Sequence, residues 1–449
     1  MKSTACALLA ASFSLSLFAA DDTATRIVKR EIQSSQAYDT LSHLTDEIGP
    51  RPSGSEGAAA AVRWTTGRLR AWGIQTTNER VVVPHWVRGR EEARLVSHPG
   101  QRLVLTALGG SVATPPAGLT ADVVEITSFD QLQSLGAKLA GKIVFYNNEM
   151  DMQLVRSHRA FDAYRQAVMF RGSGASRAAE YGAKAVVIRS VGSASLRTPH
   201  TGAMHYDPKQ SRIPAAALTA EDAMLIHRLL QRGDRVRMHL LLTPRTLPDV
   251  VSANVIAEWK GREKPEEIVL IGAHLDSWDL GTGAIDDGSG VAMVMETMRL
   301  LSQMDLHPRR TIRAVLFMNE ENGLAGGRAY FAAHGKEKHV AAIESDAGAA
   351  APIGFTTTLK GDALSNLESL ASSSLAEVHA ASFETVAETG ADTRFLIEAG
   401  VPGFGLVPDP LHYFDYHHTP ADTLDKVDRQ ELAQDSAAIA ALAWVLAER

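Results

Sequence analysis

The sequence predicts an α/β fold: a three-layer α/β/α sandwich built on a mostly parallel mixed sheet and split by an inserted middle domain. Two observations carry this. From Val251 onward the order strand, loop, helix repeats, and the runs 267–275, 311–318 and 339–345 are continuously apolar and rich in Val, Ile and Ala. Strands of that kind are covered by helices on both faces. Ahead of them, shorter β-like runs alternate with helices in a stretch bounded by prolines. A chain of 449 residues also exceeds one small core and fits about two domains.

The elements follow in order. Residues 1–20 pair a short positive end at Lys2 with an apolar stretch from Ala5 to Ala19, ending in small residues before Asp21-Asp22. This is the pattern of a cleavable export signal, too short to span a bilayer; the expected location is secreted or periplasmic, with no membrane span in the mature chain. Cys6, the only cysteine, lies inside it, so the mature chain has neither a disulfide nor a thiolate metal site. Residues 21–73 have helical periodicity around the loop Gly49-Pro50-Arg51-Pro52-Ser53-Gly54, and 76–105 alternate as strands do. The first part of the catalytic domain is therefore expected at 21–113. Thr114-Pro115-Pro116 is a linker into a middle unit, 114–246, with β-like runs at 121–126, 142–146, 183–188 and 236–242 and helices at 161–181 and 220–231. The second part of the catalytic domain follows at 247–449, where helices at 291–301, 324–334 and 363–376 separate the strands.

Hydrophobic residues at 45% and charged residues at 22% are the balance of a globular protein. A net charge of -7 without a basic run or Arg/aromatic interleaving gives no face for nucleic acid.

In an α/β sheet, ligands bind at the carboxyl ends of the strands. Those ends here hold His274-Leu275-Asp276-Ser277, Glu320-Glu321 and Glu344-Ser345-Asp346; Asp286-Asp287-Gly288-Ser289-Gly290 opens a helix, and His417-His418-Thr419 lies near the C-terminus. Zinc takes nitrogen and oxygen ligands, and two zinc ions can share a bridging carboxylate. Two imidazoles, a bridging acid, two further acids and a general base would build such a site, and the set supplies them. Taken singly, each member has a plainer reading: Asp286-Asp287 as a helix N-cap, Glu320-Glu321 as a solvated helix start, Asp346 as a turn residue, each histidine as a surface or core residue. Their joint occurrence at one edge favours metal chemistry.

The segments His274-Leu275-Asp276-Ser277, Asp286-Asp287-x-Ser289-Gly290, Glu320-Glu321-x-Gly323 and His418-Thr419-x-x-Asp422-Thr423 resemble the motifs of the co-catalytic zinc aminopeptidase family, of leucyl aminopeptidase and glutamate carboxypeptidase type. The strings 274–287, 344–348 and 399–403, with His417-His418 and the opening 44–55, extend the likeness over nearly the whole mature chain. The resemblance implies two Zn2+ per chain. His274 and Asp346 would complete one site, Glu321 and His418 the other, with Asp286 bridging and Glu320 as general base. Asp276 would hold an imidazole in its ligating tautomer. Asp287 is the rival bridge and His417 the rival ligand. Asp286 is preferred because the family places its bridge directly before the residues matching Asp287-Gly288-Ser289-Gly290, and His418 because Thr419 follows it. The likeness also makes the middle unit protease-associated-like and the assembly a homodimer. Asn319 and Asn322, flanking the glutamate pair, depart from the usual motif.

The expected function is a dinuclear zinc exopeptidase, an aminopeptidase or dipeptidase acting on short peptides with a free N-terminus. The alternatives are a carboxypeptidase releasing C-terminal residues such as glutamate, a single-zinc glutaminyl cyclase-like enzyme, and a receptor-like relative that has lost its metals. The full ligand set argues against the last two.

Overall fold

A computed structural model describes residues 23–449; the expected export signal and Cys6 lie outside the described residues. The chain first lays down β1 (Gln75–Val87). Eight shorter strands follow: β2 (Glu91–Leu95), β3 (Arg102–Leu103), β4 (Leu105–Ala107), β5 (Leu119–Ile126), β6 (Ile143–Tyr146), β7 (Ala185–Arg189), β8 (Ala215–Leu218) and β9 (Arg237–Leu242). Then come β10 (Arg245–Trp259), β11 (Lys264–His274), β12 (Arg310–Phe317), β13 (Lys338–Glu344), β14 (Pro352–Thr357), β15 (Phe383–Thr385) and β16 (Gly403–Pro408). Among the described residues these form two mixed eight-stranded sheets, ordered β1-β10-β12-β11-β13-β16-β14-β15 and β3-β2-β9-β5-β6-β7-β8-β4.

β1 and β10 pair antiparallel, with Val87 opposite Arg245, so the chain leaves the first sheet and returns to it at one place. Everything in the second sheet lies between. That sheet begins at β2, ahead of the Thr114-Pro115-Pro116 stretch, and takes in β2–β4 from the segment 21–113. The short alternating runs of 76–105 fall in both sheets, which hides the crossing. Thr114 is tied into the second unit, its N–H donating to Leu242 O at 2.9 Å.

The centre of the first sheet, β12-β11-β13-β16, is parallel. Its strands are buried on both faces. Val269, Ile271 and Ala273 of β11 belong to one core with Val291, Met295 and Met298 of the helix Ser289–Gln303 and with the helix Arg429–Glu448. Leu270, one residue out of phase, packs in a separate cluster with Phe317, Tyr330 and Leu396. The period of two along a strand sends successive side chains to opposite layers. Each fully buried Leu, Val or Ile stabilises the fold by roughly 1.5–3 kcal/mol. The C-terminal helix is rich in alanine and buried over most of its length, which lets it lie close against the helix Ser289–Gln303.

Register fixes the consequence for chemistry. His274 pairs with Phe317 across β11 and β12, and Gly272 with Glu344 across β11 and β13. The residues just past those positions, Glu320-Glu321 and Asp346, therefore emerge at one edge beside His274. No helix of the described residues is long and apolar enough to cross a membrane.

Candidate metal centre

At that edge Asp286 occupies the middle. Its Oδ1 lies 3.0 Å from His274 Nε2 and its Oδ2 3.1 Å from His418 Nε2. Each imidazole then meets a second acid. Asp346 Oδ1 is 3.4 Å from His274 Nε2, and Glu321 Oε2 is 3.0 Å from His418 Nε2. His417 stacks on His418 with ring centroids 3.6 Å apart and approaches Asp286 Oδ2 at 3.4 Å. The structure thus gathers all five expected ligands and leaves His417 alongside, farther from Asp286 than His418.

The rival acid does something else. Asp287, joined to Asp286 by a cis peptide, accepts the His274 N–H through Oδ2 at 3.0 Å and the Gly290 N–H through Oδ1 at 3.1 Å. It ties β11 to the first turn of the following helix.

Asp276 meets His274 through its main chain rather than its side chain. The group that meets His274 Nδ1 is the Asp276 backbone carbonyl, at 2.9 Å, while the carboxylate stands 3.9 Å away. A carbonyl can only accept, so Nδ1 carries a proton and Nε2 is the ring nitrogen turned to the acids. The Asp276 carboxylate instead accepts the N–H groups of Asn319 at 2.7 Å and Glu320 at 3.1 Å, with Ser53 Oγ donating to it at 2.8 Å. It positions the glutamate pair. Asn319 has φ of +76°, a conformation Asn tolerates better than most residues; its amide donates to Ser53 and Asn322, not to Glu320.

Three supports were not singled out as site residues from the sequence. Arg51, from the Pro-rich loop, is fully buried and donates to the carbonyls of Leu275 at 2.8 Å, Thr282 at 2.7 Å and Gly283 at 2.9 Å. It clamps the loop between His274 and Asp286 and places a cation beside Asp422, Asp276, Asp287 and Asp286. Asp422 accepts the N–H groups of Ala284 at 2.8 Å and Ile285 at 2.7 Å, fixing the approach to Asp286. Asp392 accepts the Gly327 N–H at 3.2 Å, and its buried Oδ2 has no hydrogen-bond partner among the described residues. Replacing Arg51 by Met strands several buried carbonyls and removes a buried cation. The expected loss is at least about 3 kcal/mol, read as a lower urea midpoint in the chelator-treated protein; an unchanged midpoint would refute the clamp.

The second sheet's unit reaches this site directly. Thr201 O lies 3.3 Å from His418 Nδ1, and Arg171 Nη1 lies 3.4 Å from each of those atoms. His200 Nδ1 meets His417 O at 2.8 Å, and burial takes His200 down to about 3, so the ring is neutral. Trp278 packs edge-on to His418 and against Gly109, where a Cβ would fall 1.9 Å from Trp278 Cη2. Arg88 bridges the units by a two-pronged pair with Asp279, at 2.8 and 2.6 Å.

The donor set fits a cation pair. A buried Nε2 beside two carboxylates is held there by a proton or by a metal ion. Asp286 Oδ2 and Glu321 Oε1 are buried and lack an aligned hydrogen bond. Burial, with Asp286 close by, pushes Glu321 up to about 7; burial, with Asp286 and Glu344 near, pushes Asp346 up to about 6. Burial likewise raises Glu320 well above the usual range, with Asp346 and Glu321 adding to it. Burial opposes a charge on His274, yet Asp346 and Asp286 outweigh it and raise its pKa. The acids gather around two imidazoles, and imidazole with carboxylate is a donor mix that zinc accepts.

Comparison with known proteins gives the family. Residues 254–443 match the model of peptidase family M28. Carboxypeptidase Q of Bos taurus is 36% identical over 417 residues, covering 92% of this chain and 86% of the relative; this is the member to which the longer sequence strings point. A peptidase M28 precursor from Shewanella amazonensis SB2B, known by crystallography, superposes with a TM-score of 0.92 at 41% identity over 96% of this chain and 97% of that one. A zinc aminopeptidase from Bacillus subtilis shares the fold, with a TM-score of 0.66 at 21% identity over 91% and 93% of the two chains. On the strength of the extended identity to carboxypeptidase Q and of the matching family model, the chain belongs to peptidase family M28.

Proposed function

We propose that this chain is a two-zinc exopeptidase that hydrolyses dipeptides or short peptides from a free N-terminus. The observation that carries the reading is Asp286, whose two carboxylate oxygens face two different imidazoles, each flanked by one more acid. His274 and Asp346 would hold one Zn2+, Glu321 and His418 the other, and Asp286 would bridge. When bound, such a pair supplies Lewis acidity to the scissile carbonyl and lowers the pKa of the attacking water.

The chain's own residues do the rest. Glu320 takes the proton of the attacking water and returns it to the leaving amine; Asp276 fixes the backbone from which it projects. A groove of about 320 Å³, lined by Ile285, the run 347–351, Tyr413 and Tyr416, adjoins Asp286 and Asp346 in the chain. We read it as the space offered to a substrate residue. We read residues 91–242 as a protease-associated-like insert that covers the cleft, and export and homodimerisation as part of the same proposal.

The name of carboxypeptidase Q favours a second reading, cleavage at the C-terminal side. One assay separates them: hydrolysis of a free dipeptide and of its N-acetyl counterpart by zinc-loaded protein. Cleavage of the free form alone, abolished by a chelator, is the expected result. Cleavage of both supports a carboxypeptidase, and cleavage of neither overturns both readings in favour of a cyclase or a receptor.

A further inference from the structure

The second sheet has a carboxyl edge of its own. Strands β5, β6 and β7 run parallel, with Glu125 opposite Phe145 and Phe145 opposite Val187. Phe145 and Val187 point into the core under the helix Ala220–Gln231. Glu125 shares their row, and Asn147 and Arg189 lie two residues further along, so the period of two puts all three on that helix's side of the sheet. There they line a cleft of about 470 Å³ with Thr127, Glu149 and His227. It shares no residue with the metal centre. It occupies the place in an α/β sheet where small ligands bind.

Its charges are paired by position and opposite in sign. Glu125, with 13% of its side chain accessible, receives Asn147 Nδ2 at 2.6 Å and His227 Nδ1 at 2.7 Å. Both contacts use Oε1, leaving Oε2 with no donor among the described residues. Arg189, 10% accessible, meets one carboxylate, that of Glu149 at 2.6 Å, and Glu149 is itself 62% accessible. Burial holds the Arg189 guanidinium below the usual arginine range, so a better-shielded anion than Glu149 would be favoured. Glu125 on β5 and Arg189 on β7 stand on either side of β6 and line the same cleft.

We propose that this cleft binds a free α-amino acid zwitterion, its carboxylate on Arg189 and its ammonium on Glu125. The inference is independent of the peptidase site, though a free amino acid is what an exopeptidase releases. The chemistry is a bidentate guanidinium–carboxylate contact at one end and an ammonium–carboxylate contact at the other. Asn147 holds Glu125 from the neighbouring strand, its Nδ2 donating to Oε1 and leaving Oε2 for the ammonium group.

The test uses the full chain and a mixture of the common L-α-amino acids. Equilibrium dialysis identifies those retained, and the best is then titrated singly. Binding is expected to survive chelator treatment. Arg189→Gln and Glu125→Gln should each weaken it at least about tenfold while leaving peptidase turnover unchanged, which also shows that the variants fold. Should a variant fail to fold, the ligand replaces it: the N-acetyl and methyl-ester derivatives of the retained amino acid should each fail to bind the wild-type chain. No amino acid retained, binding lost on chelation, binding indifferent to both substitutions, or derivatives that bind as well as the parent would overturn the proposal.

Discussion

Glu320→Gln is expected to bind zinc at the wild-type stoichiometry and to lose about 10²–10⁴-fold in turnover. The substitution keeps the size and shape of the side chain and removes only its capacity to take a proton. The local structure does not depend on that capacity: Asp276 holds residue 320 through its backbone N–H at 3.1 Å. Neither does the ligand set, because the close contacts around Asp286 are made by His274, His418 and their flanking acids Asp346 and Glu321. Metal analysis beside steady-state kinetics therefore separates a base from a ligand. A near-normal rate would remove Glu320 from the proton-transfer role, and lost zinc would make it a ligand.

The two classes of residue differ in how far the sequence revealed them. His274, Glu320, Glu321 and Asp346 stand at the ends of apolar strands, where position and chemistry coincide. Their parallel register then carries them to one edge. Asp286 and His418 come from loops, and only the motif around them distinguished them from Asp287 and His417. What escaped was whatever acts through space or through backbone atoms. Arg51 works by donating to three carbonyls more than two hundred residues away, and no periodicity records such a bond. The carbonyl of Asp276, which fixes His274, belongs to no side-chain motif at all. Thr201 likewise meets His418 through its carbonyl, and His200 and Arg171 come from a unit with no sequence sign of contact with the centre.

The same limit applied to the fold. β11, β12 and β13 are long and apolar and were legible. β16 opens Gly403-Phe404-Gly405 and β15 has three residues, too little pattern to announce a strand. The second sheet takes in β2–β4 ahead of the proline cluster, because such a cluster marks a loop, and a loop can fall inside a unit as readily as between two. The crossing at Val87 and Arg245 carries no such mark, being defined by strand pairing.

Asp286→Ala should cost more than any other single ligand change, since it alone faces both imidazoles. The expected outcome is loss of both zinc ions and activity at background, whereas His274→Ala should strip mainly the ion shared with Asp346. A folding defect would mimic this, so the decisive measurement is thermal unfolding with and without chelator. A ligand that binds only the native state stabilises it by RT ln(1 + [L]/Kd), about 4 kcal/mol at a thousandfold excess over Kd. The wild type should therefore unfold at a markedly lower temperature once chelated. Asp286→Ala should unfold near that chelated temperature and be indifferent to chelator. A variant that merely folded poorly would start lower and still respond. Full zinc occupancy in both variants, with the chelator shift intact, would contradict the bridging role of Asp286 and the ligand role of His274.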